Sequence, residues 1–377
     1  MTRETTPLTL TPVGRTVGPK TTYDAPADLP AARPDGRRLL SDRYGRVARD
    51  LRVSLTDRCN LRCTYCMPAE GLEWLPTEAT LDDDEMIRLI TVAVEKLGIR
   101  QIRFTGGEPL LRKSLEKIIS ATKELTTDEG GRVTTAMTTN GMGLARRARK
   151  LADAGLDRVN ISLDTIDAEL YARLTRRDRL QDAIAAIDAA IEAGLTPVKV
   201  NAVVMPGINE HAITDLARFT IGRGAQLRFI EQMPLGPRDK WDRSRMITAQ
   251  DILDELATEF DMTPAAAPRG SAPAALWDVV DATGTGLRGQ IGVIASVSHP
   301  FCGNCDRSRL TTDGAVRNCL FSSADSETSL RDLMRAGATD DELAEAWAGT
   351  MWLKKPGHGI DDEGFLQPDR PMSAIGG

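Results

Sequence analysis

The sequence predicts an α/β protein built on a parallel sheet, and three observations carry the prediction. From Leu51 onward, short β-branched or apolar runs alternate with longer helical stretches, the pattern of consecutive βα units. Within those stretches apolar residues recur at helical spacing, as in Met86, Ile90, Ala93 and Leu97, or in Ile184, Ile187 and Ile191. Several stretches end on a glycine just before the next strand, at Gly98, Gly155, Gly194 and Gly222. A residue without Cβ closes a helix there in the left-handed conformation at no steric penalty.

Taken in order, residues 1 to about 45 carry Pro7, Pro12, Pro19, Pro26, Pro30 and Pro34 among Thr, Arg and Asp, with too little apolar surface to offset the entropy of ordering. A disordered extension is expected over 1–45. Strands are expected at Leu51 to Leu55, Gln101 to Thr105, Val133 to Thr138, Arg158 to Leu163, Pro197 to Val203 and Gln226 to Glu231. Six such units are too few for a standard closed barrel of eight, so the pattern alone allows a doubly wound sheet or an open barrel. The alternation breaks after about Pro234. Residues 262 to 290, rich in Ala, Pro and Gly, read as a linker with irregular β structure, and a last helical region, roughly 328 to 350, precedes a tail ending in Gly376-Gly377.

Composition restricts the function classes. The 377 residues are 41% hydrophobic, as in ordinary globular chains, and no apolar run approaches the roughly 18 residues that span a bilayer. No secretory h-region follows the start, so a cytoplasmic location with no membrane partner is expected. The net charge of −6 argues against nucleic-acid binding by bulk electrostatics, though not against a local basic pocket.

All six cysteines fall in two triplets, Cys59-x3-Cys63-x2-Cys66 and Cys302-x2-Cys305-x13-Cys319. A reducing compartment disfavours disulfides, leaving metal ligation as the main reading. Three thiolates on the loop after the first strand can hold three irons of a cubane 4Fe-4S cluster and leave the fourth open; a zinc site completed by a distant ligand is the alternative. After the second strand comes Thr105-Gly106-Gly107-Glu108-Pro109, where two glycines let backbone approach a ligand and Glu108 offers a carboxylate to an ammonium group. The CxxxCxxC loop and the GGEP turn together resemble the radical S-adenosylmethionine (SAM) superfamily. That resemblance implies a partial (βα)6 TIM-type barrel, SAM chelating the open iron, and its reductive cleavage to methionine and a 5′-deoxyadenosyl radical.

The second triplet also offers three ligands, and none of His211, His299 and His358 supplies a fourth at finger spacing. Arg52, Arg103, Lys199 and Arg228 interrupt strands that, if covered on both faces, should be continuously apolar. Any one of them could snorkel or pair, but four on four strands suggest a cation-lined lumen, extended by Arg307 and Arg309 and suited to a nucleoside triphosphate.

Both triplets, these cations and the terminal Pro371-Met372-Ser373-Ala374-Ile375-Gly376-Gly377 resemble, from about residue 46 to the end, the GTP 3′,8-cyclase family of molybdenum cofactor biosynthesis. The resemblance implies a barrel over 46–235 and a C-terminal region over 236–377 that carries a second 4Fe-4S cluster. It implies SAM against Tyr65, Gly107, Ser162 and Met233, and GTP against Arg52, Arg103, Thr138, Lys199, Arg307, Ser308 and Arg309, with Arg228 as a further phosphate candidate. Gly376 and Gly377 would enter the active site and assist the radical step. In the reaction so implied, the 3′ hydrogen of GTP is abstracted and the resulting carbon radical attacks C8, giving (8S)-3′,8-cyclo-7,8-dihydroguanosine 5′-triphosphate. Implied partners are a flavodoxin or ferredoxin as reductant, cyclic pyranopterin monophosphate synthase as the next enzyme, and a second copy in a homodimer. One departure is Gln101, where the family usually carries Lys. Two other readings are a radical SAM peptide modifier with auxiliary clusters and a zinc-binding interaction protein without catalysis.

Overall fold

The computed structural model describes residues 23–237, 241–363, 365–368 and 370–375. Twelve strands form one sheet: β1 Asp50–Ser54, β2 Gln101–Thr105, β3 Thr134–Thr139, β4 Arg158–Ser162, β5 Lys199–Val204, β6 Gln226–Glu231, β7 Phe260–Pro264, β8 Ala275–Asp281, β9 Arg288–Ile294, β10 Arg307–Leu310, β11 Ala315–Arg317 and β12 Thr328–Ser329. Their order is β12-β11-β10-β1-β2-β3-β4-β5-β6-β9-β8-β7. β1 to β6 run parallel as expected, each within two residues of its predicted bounds. The end strands β12 and β7 are not paired with each other among the described residues, so the barrel stays open.

The sheet grows at both edges from the C-terminal region. β9 adds parallel to β6 and β10 adds parallel to β1, while β7 with β8 and β11 with β12 flank them antiparallel. The stretch expected to be a linker is therefore largely a three-stranded meander. The barrel and C-terminal divisions share one sheet.

Strand alternation explains how cations fit into a buried sheet. Leu51, Val53, Ile102, Phe104, Met137, Val159, Ile161, Val200, Ala202, Leu227 and Phe229 are each at most 2% exposed and belong to one continuous core with the helices. Their sequence neighbours, turned to the other face, line the lumen. The covering helices are Asp83–Thr91, Leu115–Lys123, Leu144–Asp153, Leu180–Glu192 and Ile213–Gly222. The first opens on a capping box in which Asp82 and Glu85 satisfy each other's backbone N–H.

Of the extension expected over 1–45, residues 23–45 are described; most of them are exposed, but a few side chains reach the rest of the fold. Leu40 is 1% exposed in the core, and Arg38 pairs with Glu345 on the helix Asp340–Trp352. These contacts hold the stretch next to β1 against the core. No helix of the described residues is long and apolar enough to cross a membrane.

Candidate active site

The cysteine loop and the GGEP turn lie at the C-terminal ends of β1 and β2, where βα loops gather ligands in such folds, while the cations stand farther back, within the strands. Cys59, Cys63 and Cys66 follow β1 on a loop held by backbone bonds from Arg62 N to the Thr175 carbonyl (3.0 Å) and from Thr64 N to the Leu174 carbonyl (2.9 Å). Gly107 and Gly236 pack against this loop. A Cβ at either would clash, with the carbonyl of Arg58 for Gly107 and with that of Tyr65 for Gly236. The GGEP turn is thus needed to seat the cysteine loop.

All six cysteines are unpaired. Burial pushes the Cys66 thiol up to about 12, with Cys59 adding to it, and raises Cys63, with Cys66, Asp164 and Cys59 adding to it. The first three sulfurs therefore feel one another. In the second set, burial raises Cys302, reinforced by Cys319 and Cys305. Cys305 differs: against its burial, Lys354 and Arg307 pull its thiol below the ordinary value, with Lys354 Nζ 3.3 Å from the sulfur. No group of three or more His, Cys, Asp or Glu among the described residues could hold a single metal ion. Two sets of three free thiols, each set electrostatically coupled and neither joined by a fourth cysteine, fit the donor chemistry of a cubane with an open corner.

A cavity is lined by Cys302, Cys305 and Cys319 of the second triplet, by Tyr65 of the first triplet's loop, and by Thr138, Ser162 and Met233 among others. Arg52, Arg103, Arg228, Arg307 and Arg309 also line it. Register orders these cations. Arg309 of β10, Arg52 of β1 and Arg103 of β2 are direct partners, and Ala136 of β3 joins Arg103 to Arg158 of β4 in the same row. Like charges side by side on neighbouring strands are destabilising. The nearby carboxylate is Asp50, in register with Arg307 and 8% exposed. Burial first, then the adjoining guanidiniums, holds Arg52 and Arg309 down at about 9. The Nε atoms of Arg52, Arg103, Arg158 and Arg307 are buried without a protein hydrogen-bond partner. Such a cluster is built for an anion.

Not every expected contact is brought to this cavity. The hydroxyl of Ser308 accepts from Trp347 Nε1 at 2.9 Å on the opposite face of β10, because it alternates with Arg307 and Arg309, and so is turned away from the cavity. Lys199 is not among the cavity-lining residues, but it shares the face of Asn201 and Val203 and stands in register with Asn160 and Gln226. Gly107 is placed behind the cysteine loop, outside the cavity lining. Glu108 is 1% exposed and accepts from Thr139 Oγ1 (2.7 Å), Asn140 N (2.7 Å) and Leu110 N (3.0 Å). Three of its roughly four acceptor positions are thus spent inside the protein. Gly376 and Gly377 lie outside the described residues.

Sequence reasoning missed Arg158, Asn160, Asn201, Asp164 and His358. Asp164 accepts from Tyr65 OH at 2.8 Å and from Val203 N at 2.9 Å, so it orients the tyrosine. His358 lines the cavity, its backbone donates to Cys302, and its ring meets Phe321 at 5.6 Å. Arg158 could have been found by alternation, since it stands two positions before Asn160 and four before Ser162.

Residues 53–220 match the Radical SAM superfamily, and residues 225–360 match the family described as Molybdenum Cofactor Synthesis C. The solved structure of Streptococcus suis SuiB is similar in fold, with a TM-score of 0.53 and 15% identity over 84% of this chain and 68% of that one. Among curated proteins, a GTP 3′,8-cyclase of Corynebacterium glutamicum is 70% identical over 93% of this chain and 92% of its own length. A GTP 3′,8-cyclase of Mycobacterium sp. strain KMS is 55% identical over 98% and 100%, and GTP 3′,8-cyclase 2 of Mycobacterium tuberculosis is 57% identical over 90% and 92%. The chain belongs to the GTP 3′,8-cyclase family of radical SAM enzymes.

Proposed function

We propose that this chain converts GTP to (8S)-3′,8-cyclo-7,8-dihydroguanosine 5′-triphosphate in molybdenum cofactor biosynthesis, with the nucleotide held between the two cysteine triplets. The observation that carries this reading is the row Arg309, Arg52, Arg103 and Arg158, four cations in one register line with buried, unspent Nε donors on three of them. A triphosphate neutralises such a row and repays its mutual repulsion.

Cys59, Cys63 and Cys66 would hold one 4Fe-4S cluster, and Cys302, Cys305 and Cys319 a second. With SAM bound, the first would supply the 5′-deoxyadenosyl radical. The protein's own work is positioning and exclusion. Tyr65, Ser162 and Met233 form the SAM side of the cavity, with Tyr65 fixed by Asp164. Arg52, Arg103, Arg158, Lys199, Arg228, Arg307 and Arg309 hold the triphosphate, and Thr138 adds a hydroxyl. The second triplet faces the guanine end. Electrons come from a flavodoxin- or ferredoxin-type protein, the product passes to cyclic pyranopterin monophosphate synthase, and the enzyme works as a homodimer.

The test is anaerobic incubation of reconstituted protein with dithionite, SAM and GTP, followed by mass analysis of the nucleotide. A product isomeric with GTP that forms together with 5′-deoxyadenosine and methionine supports the reading. SAM cleavage with GTP left unchanged overturns it.

A further inference from the structure

The C-terminal segment comes back to the cavity at Met372, next to an ionic cluster that stands apart from the cation row. Arg370 sets Nη1 3.0 Å from Asp313 Oδ1 and Nη2 2.9 Å from Asp313 Oδ2. The same Nη2 lies 3.0 Å from Glu327 Oε2. Glu327 also pairs with Arg317, and both of these side chains are fully buried. A guanidinium fork matched to a carboxylate fixes orientation as well as distance, which an ammonium does not.

The cluster joins two parts of the molecule. Asp313 stands on the β10–β11 turn, Arg317 ends β11 and Glu327 immediately precedes β12, so Arg317 and Glu327 close the base of the loop that carries Cys319. Arg370 leads directly into Pro371 and the short helix Met372–Ile375. Met372 lines the cavity, while Ser373 and Ile375 are 4% and 0% exposed. The Ser373 backbone donates to the Cys66 thiol, and the Ile375 carbonyl accepts from Arg309 Nη1 at 3.2 Å. Within five residues of Arg370 the chain therefore passes from the second triplet's loop to the first triplet. A short segment keeps its place only where it is tied down, and this one is tied at Arg370.

We propose that Arg370 is a positioning residue: by clipping the C-terminal segment to the Asp313 turn and to the base of the Cys319 loop, it sets how the tail enters the cavity between the two cysteine sites. The proposal rests on that cavity being the active site, but tail docking is measured without turnover.

The experiment compares full-length reconstituted protein with Arg370→Ala, Arg370→Lys and Asp313→Asn, following hydrogen exchange of the 372–375 backbone amides by mass spectrometry. Exchange in Arg370→Ala and Asp313→Asn should be at least about tenfold faster than in the parent, with Arg370→Lys in between because it keeps the charge and loses the fork. Iron content should be unchanged and the KM for GTP should stay within about twofold, while kcat falls at least about tenfold. A synthetic peptide covering residues 371–377 should recover part of the Arg370→Ala rate. Parent-like exchange in Arg370→Ala with full iron content overturns the proposal, as does fast exchange with an unchanged kcat. If the parent itself makes no cyclised nucleotide, the function reading fails while the exchange result still decides whether Arg370 docks the tail.

Discussion

Arg158 donates from Nη2 to the Gln101 side-chain oxygen at 2.9 Å, joining β4 to β2 across β3, where the small Ala136 stands in register with Arg158. Gln101, where the resemblance led to the expectation of a lysine, thus serves as an acceptor for a neighbouring cation. Beside the arginines a neutral acceptor relieves a crowded row; a lysine would add to it.

Gln101→Lys should therefore lower the melting temperature of the nucleotide-free protein, because like charges at short range repel strongly in a partly desolvated site. It should also enlarge the stabilisation given by GTP, since the polyanion neutralises the added charge. Thermal unfolding with and without GTP measures both. A Gln101→Lys protein that melts like the parent under each condition would remove the acceptor role of Gln101.

Lys199 gives a pH signature. Burial, with Arg228, Arg158 and Arg103 nearby, holds its ammonium down at about 7 from an ordinary 10.5. Between those values the unfolded chain binds a proton that the folded protein has largely released, so stability should rise with pH through that window. Below about pH 7 both states carry the proton and the repulsion is present in full. Lys199→Met should abolish this rise. GTP restores the charged form, so at about pH 8 binding should take up as much as about one proton, measured by calorimetry in buffers of different ionisation enthalpy. No proton uptake would separate Lys199 from the phosphate site.

How much of this was legible in the sequence depends on how locally each feature is specified. Strand positions were, because LRVSL and QIRFT write the inside and outside of the barrel in alternation, and the arginines within them betrayed the lumen. The cysteine loop and its glycines are contiguous and were equally readable. What stayed hidden depends on distant partners. Ser308 looked like part of an Arg-Ser-Arg binding run, yet alternation turns its hydroxyl to Trp347 on a helix nearly forty residues later. Gly222 was expected to end its helix in the left-handed region, but Gly224 does so, at φ +76°. Arg370, Asp313 and Glu327 have no shared spacing, and only the fold brings them together.

Lys354 offers a test of the second cysteine site that is independent of turnover. It is 5% exposed, with Nζ 3.3 Å from Cys305 Sγ and 3.0 Å from the Arg307 carbonyl. A buried cation beside a cluster thiolate favours the reduced, more negative state. Lys354→Met should shift the reduction potential of one cluster to more negative values and leave the other unchanged, as followed by electron paramagnetic resonance during redox titration. Equal potentials in parent and variant would mean that Lys354 serves only packing.

The Arg317–Glu327 pair is fully buried and should follow the asymmetry of buried charges. Breaking it by Glu327→Gln leaves Arg317 without its counter-charge and should destabilise the protein by about 3 to 5 kcal/mol. Replacing both, as Arg317→Met with Glu327→Leu, should cost much less. Denaturant unfolding of the two variants against the parent measures this, and a double variant worse than the single would contradict it.

The final prediction concerns the end of the chain. Gly376 and Gly377 follow directly on Ile375, whose side chain is buried and whose carbonyl is held by Arg309, one of the cations assigned to the triphosphate. Arg309 also lines the cavity, and residues without side chains can enter a narrow space and bring backbone close to a substrate. Deleting Gly376 and Gly377 should therefore leave iron content unchanged and the dissociation constant for GTP within about threefold, because the cation row remains, while product formation falls by about 100-fold or more. Deletion of residues 371–377 should have the same effect on product and in addition expose Cys66, since the Ser373 backbone contact is removed with it. Adding a peptide that ends in Ser373-Ala374-Ile375-Gly376-Gly377 should recover part of the rate in both truncations, with saturation as for a ligand. Parent-like product formation by the two-residue truncation would show that the buried segment ends its work at Ile375.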